Sequence, residues 1–453
     1  MSLRELLNTA TTQPAKEETS EADMARGMQT QQSADTQKLR TDIHQDLLKK
    51  FDLSILGKIT DEELKQRIAL YIEDYLKEHG VVLGEQSHHT LIAEIQNEVV
   101  GLGPLEPLLS DPSISDILVN GPFVVYVERR GKLERTKVRF QSDMHLMRII
   151  DKIVSRIGRR VDESSPMVDA RLADGSRVNA IVSPLALDGA ALSIRKFSAH
   201  PLRTEDLIRY GSMTQDMAFL LAGMVKAKTN LLISGGTGSG KTTLLNLLSS
   251  YIPEDERIVT IEDAAELRLQ QPHVVRLETR PPNIEGHGEI TQRALIKNSL
   301  RMRPDRVIVG EVRGAEVLDM LQAMNTGHEG SMATIHANTS RDALTRLENM
   351  VGISGLSIPT RPMRQQIVSA LSVIVQVSRL SDGKRKIISI MEITGMEEDV
   401  ITTQEIFRFD QTGVDEQGTV LGRHHATGVR PRFATKLISR GIEIPDSLFD
   451  PAH

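Results

Sequence analysis

Residues 235–242 read Gly235-Gly236-Thr237-Gly238-Ser239-Gly240-Lys241-Thr242, between an apolar run at 231–233 and an amphipathic segment over 243–251. The spacing G-x-x-x-x-G-K-[ST] is that of a phosphate-binding loop. Its glycines let the backbone curl until several N–H groups point inward at one anion. The helix expected after it adds its N-terminal N–H groups and its dipole. Lys241 supplies positive charge for the β- and γ-phosphates, and Thr242, followed by Thr243, supplies a hydroxyl for Mg²⁺. A glycine-rich turn alone is a weak sign, because glycines also serve ordinary turns. Here the Lys-Thr pair, the preceding strand and the helical recurrence of Leu244, Leu247 and Leu248 accompany it.

Outward from the loop, short apolar runs end in residues suited to phosphate chemistry. Residues 258–261 end in Glu262-Asp263, 307–309 in Gly310-Glu311, and 332–335 in His336. Ligands of open α/β sheets bind at the carboxyl ends of strands, so these ends describe one crevice. Glu311 is the candidate to polarise the attacking water, with Gly310 permitting close backbone approach. Glu262 and Asp263 are placed around Mg²⁺ or its waters, with Glu262 and Thr242 as the metal-side pair. Glu266, one helical turn after Glu262, either faces the same site or is a surface charge. His336 is read as a γ-phosphate contact; His328, in the loop 326–330, is read as a second site residue or a structural histidine. Arg171 and Arg177 flank an Asp174-Gly175 hairpin turn. They are read either as edge-strand charges or as arginine fingers closing on the phosphates.

The chain has 453 residues, 39% hydrophobic and 26% charged, with a formal net charge of −6. That size allows two or three domains, and the balance gives no overall basic excess for nucleic acid. The absence of Cys excludes disulfides and thiolate metal sites and agrees with a reducing cytoplasm. No apolar stretch is long enough for a membrane span, and the N-terminus lacks a signal pattern. Residues 1–37 are expected to be a disordered tail, and 38–100 a helical bundle opened in part by a Thr60/Glu63 capping box. Short strands around the helix at 144–157 mark an α+β domain over 101–197. A linker at 198–204 leads to an α/β domain over 205–453.

Residues 38 to about 445 resemble the CpaF/TadA-type ATPases of tight-adherence (Flp) pilus systems, in the type II/type IV secretion ATPase superfamily. The likeness is carried by 101–109, 114–121, 169–179, the phosphate loop, 280–286, 300–314 and 326–339. It implies an α/β fold with a RecA-like P-loop motor domain, preceded by a PAS-like α+β domain and the N-terminal helical bundle. It implies a homohexameric cytoplasmic ring that binds ATP and Mg²⁺ and drives pilus assembly, with retraction as a second output in some members. The implied partner is a polytopic inner-membrane platform, and membrane association would come through it. The resemblance assigns Glu311 as the Walker B carboxylate, Glu262-Asp263 as an acidic box, His328 and His336 as a histidine box, and Arg171 and Arg177 as phosphate-facing arginines. Without Cys, the four-Cys zinc insert of some superfamily members is absent.

Two other readings stand beside this one. A conjugative type IV secretion ATPase would share the fold and move protein or DNA; segments 101–121 and 280–286 favour the pilus branch. A nucleotide-gated binding module without turnover would not need Lys241, Thr242 and Glu311 together. Direct nucleic-acid binding is not expected, since aromatics make up only 3% of the chain and no basic stripe interleaves with them.

Overall fold

The computed structural model describes residues 39–129 (except 41, 44, 45, 48 and 51–58), 131–197, 202–282, 287–353, 355 and 358–451. The tail read at 1–37, residues 198–201 of the linker and 283–286 of the 280–286 segment lie outside the described residues.

Helices α1 (Asp61–Glu78) and α2 (Glu85–Val99) pack with the helical residues described among 39–50. Thr60 caps α1: its hydroxyl accepts from the Glu63 amide at 3.3 Å, while the Glu63 carboxylate accepts from the Thr60 amide at 2.9 Å. Leu64, Ile68, Ile72 and Leu76 recur at every fourth position of α1. They bury against Ile43, Leu47, Leu91 and Ile95.

The α+β unit begins with α3 (Glu106–Ser110), β1 (Ile114–Asn120), β2 (Val125–Arg129) and β3 (Lys132–Arg135). It continues with α4 (Asp143–Ser155), β4 (Met167–Arg171), β5 (Arg177–Ile181) and β6 (Ala191–Arg195). The sheet is antiparallel throughout, in the order β3-β2-β1-β6-β5-β4. Leu146, Ile149, Ile150 and Ile153 of α4 share a core with Ile117, Val178, Ala180 and Ile194 of the sheet. The Lys152 ammonium donates to the Val99 and Gly101 carbonyls at 2.8 and 2.7 Å, tying the end of α2 to this unit.

The rest of the chain builds on a nine-stranded sheet of order β15-β14-β13-β12-β7-β11-β10-β8-β9. The strands are β7 (Leu231–Gly235), β8 (Ile258–Glu262), β9 (Val274–Glu278), β10 (Arg306–Val312), β11 (Met332–Ile335), β12 (Val373–Arg379), β13 (Arg385–Glu397), β14 (Val400–Val414) and β15 (Val420–Ala426). From β12 to β9 all neighbours are parallel. Every residue of β7, β8 and β11 is buried, as a strand covered on both faces requires. One face carries α6 (Gln215–Lys226), preceded by α5 (Thr204–Arg209), and α7 (Lys241–Ser249); the other carries α9 (Glu316–Asn325), α10 (Ser340–Ile353) and α11 (Thr360–Ala370), with α8 (Gln292–Ser299) alongside. The result is a mixed α/β protein with a RecA-like P-loop core.

The wing β13–β15 departs from the strand-and-helix rhythm expected through 205–453. Its strands are antiparallel, and β13 and β14 run for 13 and 15 residues. Hairpin turns join them, so no crossover helix is needed.

Candidate nucleotide site

Strand β7 delivers the chain into the phosphate loop and α7 leaves it. Gly238 and Gly240 take φ of +67° and +98°, a region L side chains rarely enter. Gly235 is fixed by contact: a Cβ there would lie 2.5 Å from the Val377 carbonyl oxygen and from the Ser239 hydroxyl. The Lys241 ammonium donates to the Gly235 and Gly236 carbonyls, each at 3.0 Å, and stands 3.9 Å from the Glu311 carboxylate. Burial pulls its pKa below the ordinary lysine range. The loop opens into a cleft of about 1050 Å³ lined by both the α+β unit and the RecA-like core.

Thr237, Gly238, Ser239, Gly240, Lys241, Thr242 and Thr243 line that cleft. So do Glu262, Asp263, Glu311, His336 and, from the α+β unit, Arg177. Glu311 lies near the end of β10. Its Oε2 accepts from Arg313 Nε at 2.8 Å and Nη2 at 2.5 Å, and Arg313 Nη1 reaches Asp263 at 3.3 Å. Asp263 is held above its ordinary pKa, first by burial.

Glu262 lines the cleft beside the turn that follows β8. Its Oε2 accepts from the backbone amides of Glu266 and Leu267 at 2.6 and 2.9 Å, which fixes the turn after β8. Burial raises its pKa, and its Oε1 has no partner among the described atoms. The carboxylate facing Thr242 is that of Glu266, 3.4 Å from the threonine hydroxyl. The same Glu266 accepts from Arg177 Nη1 at 2.7 Å. Thr242 thus meets Glu266 directly, while Glu262, the expected metal-side partner, lines the same cleft. No group of three or more metal-ligating side chains occurs among the described residues. A Mg²⁺ that keeps waters and substrate phosphates as ligands needs only the hydroxyl and a nearby carboxylate, and these two fit it.

Two expected site residues are not brought to the cleft. His328 precedes β11, so it lies at the edge of the sheet opposite the phosphate loop. Its Nδ1 is 3.3 Å from the Ala323 carbonyl. Arg171 pairs with Glu278 at the end of β9, at 3.2 Å, outside the cleft lining. The 171–177 hairpin nonetheless docks on the core, where Arg268 stacks 3.8 Å over Phe197 and donates to the Asp174 carbonyl. The cleft lining also includes residues that the sequence did not single out, among them the arginines Arg195, Arg313, Arg379 and Arg385. The only sequence signal for Arg313 is its place two residues after Glu311, on the same side of an extended strand end.

Residues 98–428 match the profile of the family described as Type II/IV secretion system protein. The putative conjugal transfer protein Rv3659c of Mycobacterium tuberculosis (strain ATCC 25618 / H37Rv) is 39% identical over 315 residues, covering 68% of this chain and 89% of that protein. The type IV secretion system protein VirB11 of Bartonella henselae is 29% identical over 342 residues, covering 67% of this chain and 96% of that one. Among solved structures, the VirB11 ATPase from the Brucella suis type IV secretion system, in complex with sulphate, is 28% identical. That match covers 63% of this chain and 94% of that chain, with a TM-score of 0.35. With its phosphate loop, its parallel core and a family match over most of its length, this chain belongs to the type II/IV secretion system protein family and is one of its ATPases.

Proposed function

We propose that this protein is a ring-forming motor that hydrolyses ATP between its two units and passes the resulting movement to a membrane-embedded secretion or assembly machine. The observation that carries the reading is the opposition of Lys241 and Glu311 across a cleft that Arg177 of the α+β unit also lines. The loop amides and Lys241 bind the phosphates. Thr242 and Glu266 would hold Mg²⁺, which supplies charge to offset the phosphates. Glu311, released from Arg313, orients a water in line with the γ-phosphorus. As the new P–O bond forms, the bond to the β-phosphate oxygen breaks, ADP leaves with that oxygen, and the water's proton passes through Glu311 to solvent. Arg177 offsets charge on the transferred phosphoryl group. His336 is read as a γ-phosphate contact at the end of β11. The α+β unit is read as the PAS-like domain of the resemblance, on the strength of its antiparallel sheet and long helix.

For the cargo, two readings have support. The conjugal transfer and type IV secretion names of the relatives favour a conjugative machine. Segments 101–121 and 280–286 favour a tight-adherence pilus, with a polytopic inner-membrane platform as partner and a cytoplasmic homohexamer as working form. No helix among the described residues is long and apolar enough to cross a membrane. Deleting the gene in its host and scoring surface pili and DNA transfer separates the two. Loss of pili with normal transfer rejects the conjugative reading, and the converse rejects the pilus.

For the chemistry, steady-state turnover of ATP and of GTP is compared between wild type and Glu311→Gln, with assembly followed by light scattering. The expected variant binds ATP, assembles, and loses on the order of a hundredfold or more in turnover, as removal of a water-orienting group should. Turnover equal to wild type rejects Glu311 as the water-orienting carboxylate.

A further inference from the structure

Arg379 ends β12, Arg385 begins β13, and the two face each other directly across the antiparallel pair. Like charges in that register repel, and each guanidinium lies against the phosphate loop. Arg385 Nε donates to the Gly238 carbonyl at 2.9 Å, and a Cβ on Gly240 would meet Arg385 Cδ at 3.5 Å. A Cβ on Gly238 would meet Arg379 Nη1 at 3.6 Å. The carboxylate placed between them comes from the other unit: Glu128 of β2 lies 3.5 Å from Arg379 and 3.6 Å from Arg385. Arg379 also donates to the Gly131 carbonyl. Thus two guanidiniums over a phosphate loop share one borrowed carboxylate. Burial first, and Arg379 next, draw Arg385 below the ordinary arginine range, against the opposing pull of Glu128 and Asp116.

We propose that Arg379 and Arg385 form a guanidinium clamp for the nucleotide's phosphates, and that Glu128 is the counter-ion those phosphates displace, so that nucleotide binding releases this contact between the α+β unit and the core. The clamp rests on the ATPase reading of the cleft but not on the role of Glu311. A guanidinium offers a rigid fork of donors that suits a phosphate as well as a carboxylate. A phosphate carrying more charge than Glu128 wins the exchange.

The test is equilibrium binding of a fluorescent methylanthraniloyl-ATP to the full chain. Glu128→Gln removes the competitor and is expected to tighten binding by about threefold to tenfold. Arg385→Ala is expected to weaken it by about tenfold, the size of one charge-assisted hydrogen bond. Arg385→Lys should also weaken it, because charge is kept but the fork is lost. In the double variant Glu128→Gln/Arg385→Ala the tightening should shrink markedly. Binding by Glu128→Gln that is unchanged or weaker overturns the proposal, as does full tightening in the double variant. A second readout uses the absence of native Cys. Spin labels at Lys132→Cys and Ser381→Cys, both exposed, report the separation of the two units. The distance should widen when ATP is added and should not do so with Arg385→Ala; a distance indifferent to ATP in the otherwise wild-type chain overturns the release step. Both measurements read binding and distance, so a failure at Glu311 in the turnover assay would not be mistaken for a failure here.

Discussion

Gly310 has no side chain because Glu262 occupies the space one would need. A Cβ at 310 would fall 2.8 Å from Glu262 Cγ and 3.5 Å from its Oε2. Glu262 cannot swing aside cheaply, since it holds two backbone amides of the turn that carries Glu266 toward Thr242. Gly310→Ala is therefore expected to destabilise the fold by about 1–3 kcal/mol through overpacking, seen as a lower melting temperature. It should also lose turnover, because the shift propagates to Glu266 on one side and Glu311 on the other. If the two side chains compete for that space, the loss of stability in the double variant with Glu262→Ala should be smaller than the sum of the two single losses. If Gly310→Ala melts like wild type, the contact between 310 and 262 is not a constraint.

At the scale of elements, the antiparallel wing carries a pH-sensitive contact. His424 of β15 lies opposite Phe409, with ring centroids 4.9 Å apart, and its Nε2 is 2.9 Å from the Ile387 carbonyl. Burial above all holds its pKa at about 4, against an ordinary 6.5. The unfolded chain then binds more protons than the folded one between those values, so stability rises with pH through that window and is lost as pH falls. Melting temperatures taken from pH 4 to 6.5 should climb less steeply in His424→Gln than in wild type; parallel slopes would discount this histidine. The wing also shows where the sequence is opaque. β7, β8, β10 and β11 are legible because each is a short, largely apolar run that ends in chemistry, and the phosphate loop fixes which end of the sheet matters. β13 and β14 mix polar and apolar residues over a length that suits no single face, and their bulges break the alternation. Nothing in the sequence singles out Arg379 and Arg385, since only the pairing of β12 with β7 brings them over the phosphate loop. Glu262 and Glu266 are separable only in three dimensions, because spacing puts both near Thr242 while the folded turn has Glu262 holding two amides and Glu266 meeting the threonine hydroxyl.

At the scale of the whole molecule, the question is whether the arginine entering the cleft serves its own subunit or a neighbour. Arg177 is 2.7 Å from Glu266, and Glu266 is 3.4 Å from Thr242, all within one chain. Arg171 reaches Glu278 of the same chain at 3.2 Å, and Arg268 stacks on Phe197 between the same two units. These contacts place the α+β unit over its own phosphate loop, so action in cis is expected. Mixing subunits tests it. Arg177→Ala should bind ATP and lose hydrolysis, as should Glu311→Gln, each by a different route. If every site draws Arg177 and Glu311 from one chain, a mixture of the two variants contains no intact site, and its turnover stays at the sum of the separate variants. If Arg177 crossed to a neighbour, mixed rings would contain sites pairing an intact Arg177 from one subunit with an intact Glu311 from the next. About a quarter of the sites in an equimolar random mixture would then be whole. Recovery to that fraction of wild-type turnover would reject cis action. Co-purification of one variant through an affinity tag carried only by the other would show whether the two share assemblies, which the absence of recovery requires before it counts in favour of cis.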